Sequence, residues 1–244
     1  MRRAVDYRES HLAADKGESY DRRFADNPHR SLMWEMEKRI LDRVLTTLYD
    51  GRRITHLDFA CGTGRLLAYL EPRARESVGV DLSPSMLAVA RRSVSNATLI
   101  EADLTRADVL AGRKFDLITA FRFFPNAQPT LRQEAMSAIL RHLDDSGYLV
   151  FNNHLNSSST MLRLARLAGR SKGLGMEAAE VTRLLDDAGL QVVAVHHLGI
   201  MPSNDRYLFM PLALLGRVER YAAKHDVFRN ISQNLIYVCS RSGR

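Results

Sequence analysis

Short β-rich runs alternating with helical patterns predict an α/β fold, a largely parallel sheet covered by helices on both faces. Three observations carry this. A strand passes through a glycine turn into a helix at residues 54–70, the same cycle repeats at 77–93, and a long helix then separates two further apolar strands. Ile54 to Ala60 is the first strand, Cys61-Gly-Thr-Gly64 the turn, and Arg65 to Leu70 the helix. Ser77 to Asp81 is the second strand; Ser83 caps and Pro84 opens the helix that runs to Ser93. Ala97–Glu101, Phe115–Phe121 and Tyr148–Asn152 are strands three to five, with a helix from Thr130 to Leu143 between the last two. Helices follow at 161–168 and 176–188, stopped by Gly169 and Gly189; then come strand six at Leu190–Leu198, a helix at 212–224 and strand seven at Asn234–Ser240. Residues 1–50 read as a helical, charge-mixed segment whose buried face holds Trp34, Met36, Ile40, Leu41, Val44, Leu45 and Leu48.

The chain has 244 residues, 45% hydrophobic and 26% charged, a composition that suits one domain with insertions and excludes collagen-like or wholly disordered material. Two cysteines, Cys61 and Cys239, make neither a disulfide framework nor a zinc-ligand cluster, so no metal is expected. The first twenty residues lack the apolar core of a secretory signal, and the longest apolar run, Leu208–Leu215, falls far short of the roughly 20 residues a membrane span needs. A soluble, cytoplasmic protein is expected.

The glycine turn lets a ligand approach the backbone, and Asp81, seventeen residues beyond Gly64 at the end of the next strand, can accept two hydrogen bonds from a ribose diol. A dinucleotide would want a third glycine where Leu67 stands, and no glycine precedes a lysine as a phosphate loop requires. Asp58-Phe-Ala-Cys-Gly-Thr-Gly64 instead resembles the first motif of the class I S-adenosylmethionine-dependent methyltransferases, with Ala60 in place of its first glycine. Val78-Gly-Val-Asp81-Leu-Ser-Pro-Ser-Met86 is similar to the second motif and Glu101-Ala-Asp103-Leu104 to the third. The resemblance implies a Rossmann-like, mostly parallel seven-stranded sheet with helices on both faces and an antiparallel last strand. It also implies a helical lid over residues 1–50, a methyltransferase domain over 51–244, and insertions after strands five and six, about 155–175 and 200–232, capping the acceptor side.

The cofactor it implies is S-adenosyl-L-methionine. Asp81 would take the ribose hydroxyls, and Leu82 and Met86 would lie against the adenine. Asp103, between Ala102 and Leu104, would accept from the adenine amino group, and Ala60, Gly62 and Gly64 would follow the methionine portion, with Asp58 near its ammonium. Asp103 also suits a helix N-cap, and Cys61 a small packing residue. Tyr20, Arg23 and Trp34 resemble lid residues that close over the donor in small-molecule methyltransferases.

Methyl transfer needs alignment of an acceptor lone pair more than a large catalytic apparatus. Strand four delivers Phe121-Arg-Phe-Phe-Pro-Asn126 to the sheet's carboxyl edge; Phe121 or Phe123 can face the sulfonium, and Arg122, Phe124, Asn126 and Asn152 are the candidate acceptor contacts. His154 is the candidate general base, while His196 and His197 read as structural or lid residues. No Asn-Pro-Pro-Tyr, Asp-Pro-Pro-Tyr or Pro-Cys sequence marks a nucleic-acid base methylase.

The net charge is +7, of which residues 155–175 and 200–244 each carry +4, leaving −1 for the rest. Arg163, Arg166 and Arg170 share a helix face opposite Met161, Leu164, Ala165 and Ala168. The expected acceptor is a small molecule, preferably a hydroxyl oxygen on an anionic or glycan-bearing compound; contact with a membrane surface or RNA is open but not favoured. A methyltransferase-like partner subunit and an RNA methyltransferase are the alternatives.

Overall fold

A computed structural model describes residues 7–8, 16–169, 175–202, 208 and 210–243. In chain order the elements are α1 (Lys16–Ala25), α2 (Pro28–Tyr49), β1 (Ile54–Phe59), α3 (Arg65–Leu70), β2 (Ala74–Asp81), α4 (Pro84–Ser93), β3 (Thr98–Glu101), β4 (Phe115–Ala120), α5 (Pro129–His142), β5 (Leu143–Asn153), α6 (Thr160–Leu167), α7 (Ala178–Asp187), β6 (Leu190–Leu198), α8 (Leu212–Ala222) and β7 (Asn234–Arg241). The strands form one seven-stranded sheet in the order β3-β2-β1-β4-β5-β7-β6. Neighbours from β3 to β5 are parallel, and β7 runs antiparallel to both β5 and β6. Strand order therefore reverses between β1 and β4, so the loops leaving them diverge and open a crevice at their carboxyl ends, where open α/β sheets bind ligands.

The central strands are buried on both faces, and their side chains alternate between two cores. Leu57, Ile118, Leu149, Phe151, Tyr237 and Cys239 join one core with α5 and α7; Ile54, Leu117, Val150, Ile236 and Val238 join the other with α2. Helix α2 starts where Asn27 Oδ1 accepts from Arg30 N at 3.1 Å ahead of Pro28, and it ends in left-handed Asp50. Met36, Ile40, Leu41, Val44 and Leu45 are buried on it as expected. Trp34 and Leu48 are only partly buried, Trp34 lying edge-on to Tyr69 at 5.6 Å. Much of the segment read as a lid is thus a core layer.

β5 begins at Leu143, five residues before the expected Tyr148, because Leu143 pairs with Phe115 ahead of a register shift. Within it Asp144 Oδ1 accepts from Ser146 N and Oγ, turn chemistry that made this stretch look like a loop. On α6 only Leu162 is buried; Leu164, expected on a packed stripe, is about half exposed, and Arg170 lies outside the described residues. Parts of both insertions, 170–174, 203–207 and 209, likewise lie outside them.

Candidate active site

The turn after β1 is built from unusual backbone. Ala60, Gly62 and Gly64 all have positive φ, at 55°, 56° and 73°. Cys61 N donates to Val80 O at 3.1 Å, tying the turn to the neighbouring strand, and Gly62 N donates to Asp81 Oδ2 at 2.8 Å. Ser83 N, at the cap of α4, donates to Asp81 Oδ1 at 2.8 Å. Asp81 is thus held by one backbone amide on each oxygen, which fixes its carboxylate at the rim of the crevice. A Cβ on Gly62 would meet no protein atom within 4 Å, so this glycine faces open space. Gly64 differs: its Cβ would stand 2.9 Å from Ala90 Cβ, and it does not line the crevice. Gly64 serves the packing of α3 against α4, which corrects its expected place beside the ligand.

Asp58, at the end of β1, is buried and its Oδ1 accepts from Thr119 Oγ1 at 2.7 Å. Thr119 Oγ1 lies 2.8 Å from His56 Nε2. Because the single threonine proton goes to Asp58, His56 must donate from Nε2, which leaves Nδ1 to accept from Ser77 Oγ at 3.3 Å. Burial holds the imidazole neutral, with its pKa lowered to about 3. Burial also pushes Asp58 up to about 7; the Thr119 hydrogen bond and Arg65 oppose this and Asp81 adds to it. A cation placed beside Asp58 would restore its charge. Cys61 packs beneath the turn, its thiol pushed well up by burial and by Asp81 and Asp58, consistent with a packing role.

Asp103, at the end of β3, caps its own turn, Oδ1 accepting from Thr105 N at 2.9 Å and Thr105 Oγ1 at 2.6 Å. Its Oδ2 accepts from Arg8 Nε at 2.8 Å. Burial would raise its pKa, but the Thr105 hydrogen bonds and Arg8 outweigh burial and hold it below the usual carboxylate range.

These groups line a cavity of about 610 Å³, within the usual size of small-molecule sites. Asp58, Ala60, Gly62, Asp81, Leu82 and Met86 are on its wall, as are Ala102, Asp103 and Leu104. Tyr20, Phe121, Arg122, Asn126 and His154 line it too. Phe124 and Asn152 do not. Phe124 is fully buried between Phe123 at 5.4 Å and Phe151 at 5.0 Å, and Asn152 is fully buried beneath Arg122. Both are supports of the site and make no wall of it.

Arg122 is held in the left-handed region at φ 60°. Its N donates to Asn152 Oδ1 at 2.6 Å, and its O accepts from Asn126 Nδ2 at 2.7 Å and Tyr7 Oη at 3.3 Å. Its guanidinium is 3.6 Å from Glu37 Oε1, which accepts from Asn234 Nδ2 at 2.7 Å; Asn234 in turn accepts from Asn152 at 3.2 Å. Such strain persists where surrounding bonds over-determine it. Burial, Arg122 and Arg30 hold the pKa of His154 well below the ordinary value. His197 is bonded at 3.0 Å to Ser232, and neither it nor His196 lines the cavity.

Sequence reasoning passed over Arg65, His29, Arg30, Met33, Gln233 and Asn234, all on the cavity wall. Arg65 was visible one residue past the glycine turn. The others carry no motif and arrive from α2, from the start of β7 and from the residue just before it through the fold alone. Among the described residues no cluster of His, Cys, Asp or Glu suited to a metal ion occurs.

Residues 57–147, which carry the turn, both strand-end acids and β4, match a family model described as "Methyltransferase domain". Over these residues the chain is similar to a methyltransferase domain. It is similar to the malonyl-[acyl-carrier protein] O-methyltransferase of Enterobacter lignolyticus (strain SCF1), 30% identical over 141 residues, covering 57% of this chain and 54% of the relative. It is also similar to a dTDP-3-amino-3,4,6-trideoxy-alpha-D-glucopyranose N,N-dimethyltransferase of Streptomyces venezuelae, 31% identical over 96 residues, covering 38% of this chain and 40% of the relative. The chain thus spans about half the length of the curated relatives it matches. In fold it resembles magnesium protoporphyrin IX methyltransferase from Synechocystis PCC 6803, solved with bound SAH, at a TM-score of 0.65 and 15% identity, covering 97% of this chain and 100% of that one. The mostly parallel seven-stranded sheet with β7 reversed is this methyltransferase fold.

Proposed function

We propose that the protein transfers a methyl group from S-adenosyl-L-methionine to a small molecule that carries a negative charge. The observation that carries this reading is the pairing of Asp58 and Asp81 across a turn whose Gly62 leaves its Cβ position open to the cavity. Those residues fit the donor. Asp81, held by the amides of Gly62 and Ser83, lies on the cavity wall at the end of β2, where its carboxylate is a partner for ribose hydroxyls. Asp58 sits where a cationic amino group would be welcome, and Leu82, Met86 and Leu104 supply an apolar wall for a flat base. When bound, S-adenosylmethionine supplies a methyl group on a positively charged sulfur, already activated toward a lone pair.

The remaining wall favours an anionic acceptor. Arg30, Arg65 and Arg122 reach it from α2, α3 and the end of β4, and the polar Asn126 and Gln233 stand beside them. Oxygen is the preferred methylated atom, in keeping with the O-methyltransferase relative, although the other relative is named for an amine. Tyr20, Phe121 and Asn126 are assigned here to closing over the donor and acceptor. No helix among the described residues is long and apolar enough to cross a membrane. The test is calorimetric titration of S-adenosylmethionine followed by tritium transfer from its labelled methyl group into an acidic small-molecule fraction. Micromolar binding that falls about a hundredfold in Asp81→Ala supports the reading, on the scale of two lost hydrogen bonds to a carboxylate. No binding to the folded protein would overturn it.

A further inference from the structure

His56 stands in the middle of the sheet with no exposed surface, paired in register with Ser77 on β2 and Leu117 on β4. Alternation along β1 puts His56 and Asp58 on one face, and Thr119, the register partner of Asp58 on β4, shares it. The result is a row of four polar side chains across three strands. Ser77 Oγ lies 3.3 Å from His56 Nδ1, His56 Nε2 lies 2.8 Å from Thr119 Oγ1, and Thr119 Oγ1 lies 2.7 Å from Asp58 Oδ1. All four are buried, and of the four only Asp58 lines the cavity. Polar groups are costly in such a place and apolar ones are not, which points to a task at the row's open end.

The row has two self-consistent arrangements of its protons. With Asp58 ionised, Thr119 donates to it, His56 donates to Thr119 from Nε2, and Ser77 donates to Nδ1. With Asp58 protonated on Oδ1 every role exchanges: Oδ1 donates to Thr119, Thr119 to Nε2, and Nδ1 to Ser77. The same heavy-atom positions serve both orders. Protons balance, because Asp58 gains one from solvent, Nε2 gives up one, Nδ1 takes one and each hydroxyl keeps its own. The exchange needs an imidazole that stays neutral, and burial supplies it by holding His56 down at about 3. The charged groups acting on Asp58 are Asp81 from the end of β2, which disfavours ionisation, and Arg65 from α3, which favours it. The buried Cys61 thiol is the other titratable neighbour.

We propose that His56 and Thr119 are positioning residues for Asp58: a cationic amino group arriving beside the protonated Asp58 reverses the order of the row, switches the His56 tautomer and leaves Thr119 donating to the carboxylate that holds the cation. The proposal rests on the methyl-transfer reading, which supplies the amino group, and deepens it by assigning residues that never touch the donor.

Nitrogen-15 NMR of histidine-labelled protein is the test, since protonated and unprotonated ring nitrogens resonate far apart. His56 is the imidazole whose signals vanish in His56→Gln or, should that variant not fold, the one whose signals move in Thr119→Ser. At pH 5.5, below the value of about 7 that burial gives Asp58, the free protein carries the His56 proton on Nδ1; at pH 8 it carries it on Nε2. At pH 5.5 saturating S-adenosylhomocysteine moves the proton to Nε2, whereas 5′-methylthioadenosine, which lacks the amino-acid part, leaves it on Nδ1. A tautomer that is the same at both pH values, or one indifferent to bound S-adenosylhomocysteine at pH 5.5, overturns the proposal. Affinity gives a second readout. At pH 8 Thr119→Val weakens S-adenosylhomocysteine about tenfold, the scale of one hydrogen bond to a charged group, with 5′-methylthioadenosine unchanged, and Thr119→Ser restores it. Equal loss of both ligands in Thr119→Val would make Thr119 a packing residue and overturn its positioning role. A wild type that switches tautomer with pH yet binds no S-adenosylhomocysteine would leave the reversal of the row standing and remove the methyl-transfer reading instead.

Discussion

Under the proposed function, Asp58 makes donor binding depend on pH. Burial lifts its pKa to about 7 against an unfolded value near 3.9, so the carboxyl is mostly protonated below neutrality in the folded protein. A raised folded pKa stabilises the fold at low pH, and that contribution is lost as pH rises through 7. The full difference of about three units corresponds to about 4 kcal/mol. A cationic amino group beside Asp58 favours the charged form, so donor binding must displace the proton. Affinity should then rise about tenfold per pH unit from pH 5.5 and level off above 7. Near pH 6.5 about 0.8 proton should be released per donor bound, which calorimetry in two buffers of different ionisation enthalpy reads directly. Asp58→Asn should abolish both the slope and the release, and should melt higher than wild type at pH 8, by a margin that shrinks to about nothing only at or below the unfolded pKa near 3.9. Affinity that is flat from pH 5.5 to 7.5 in wild type, or a slope that survives in the Asn variant, would refute the reasoning.

Three further outcomes follow from the same geometry. Ala60→Gly relieves a left-handed non-glycine residue and should stabilise the protein by up to about 1 kcal/mol, a rise of about 2–4 °C in melting temperature; a fall would mean the turn is not strained. Gly64→Ala drives a Cβ toward Ala90 at positive φ and should cost about 2–3 kcal/mol by chemical denaturation, with donor affinity changed far less than in Asp81→Ala. Glu219→Gln takes a buried acceptor from the amides of Gly199, Ile200 and Met201, bonded at 2.9 to 3.0 Å, and should cost about 2–4 kcal/mol. Since Gly199 lines the cavity, that variant should also expose the loop to hydrogen exchange, and unchanged protection at Met201 would count against the role.

What was legible in the sequence was local. The turn and the acids at the ends of β1, β2 and β3 announce themselves because each is dictated within a few residues by strand, turn and cap chemistry. Which glycine faces the cavity was not legible: Gly62 and Gly64 are alike in the motif, and only the approach of α4 through Ala90 separates them. Beyond β4 strand parity misleads, because left-handed Arg122 breaks the alternation and turns Phe124 into the core while Phe121 and Phe123 stay on the wall. Arg8 on Asp103, Glu37 on Arg122 and Asn234 on Glu37 join residues far apart in the chain, 197 positions in the last case, and no short pattern encodes such meetings. His154 shows the converse: its place on the cavity wall was legible, but the burial and the neighbouring arginines that hold its pKa down were not.

A crystal structure of the protein soaked with S-adenosylhomocysteine tests the central assignment most directly. The account predicts the adenosyl group in the crevice between the carboxyl ends of β1 and β2, with each Asp81 oxygen within hydrogen-bond distance of a ribose hydroxyl and Gly62 against the thioether chain. A thioether found elsewhere, or an Asp81 carboxylate turned from the ribose, would contradict it.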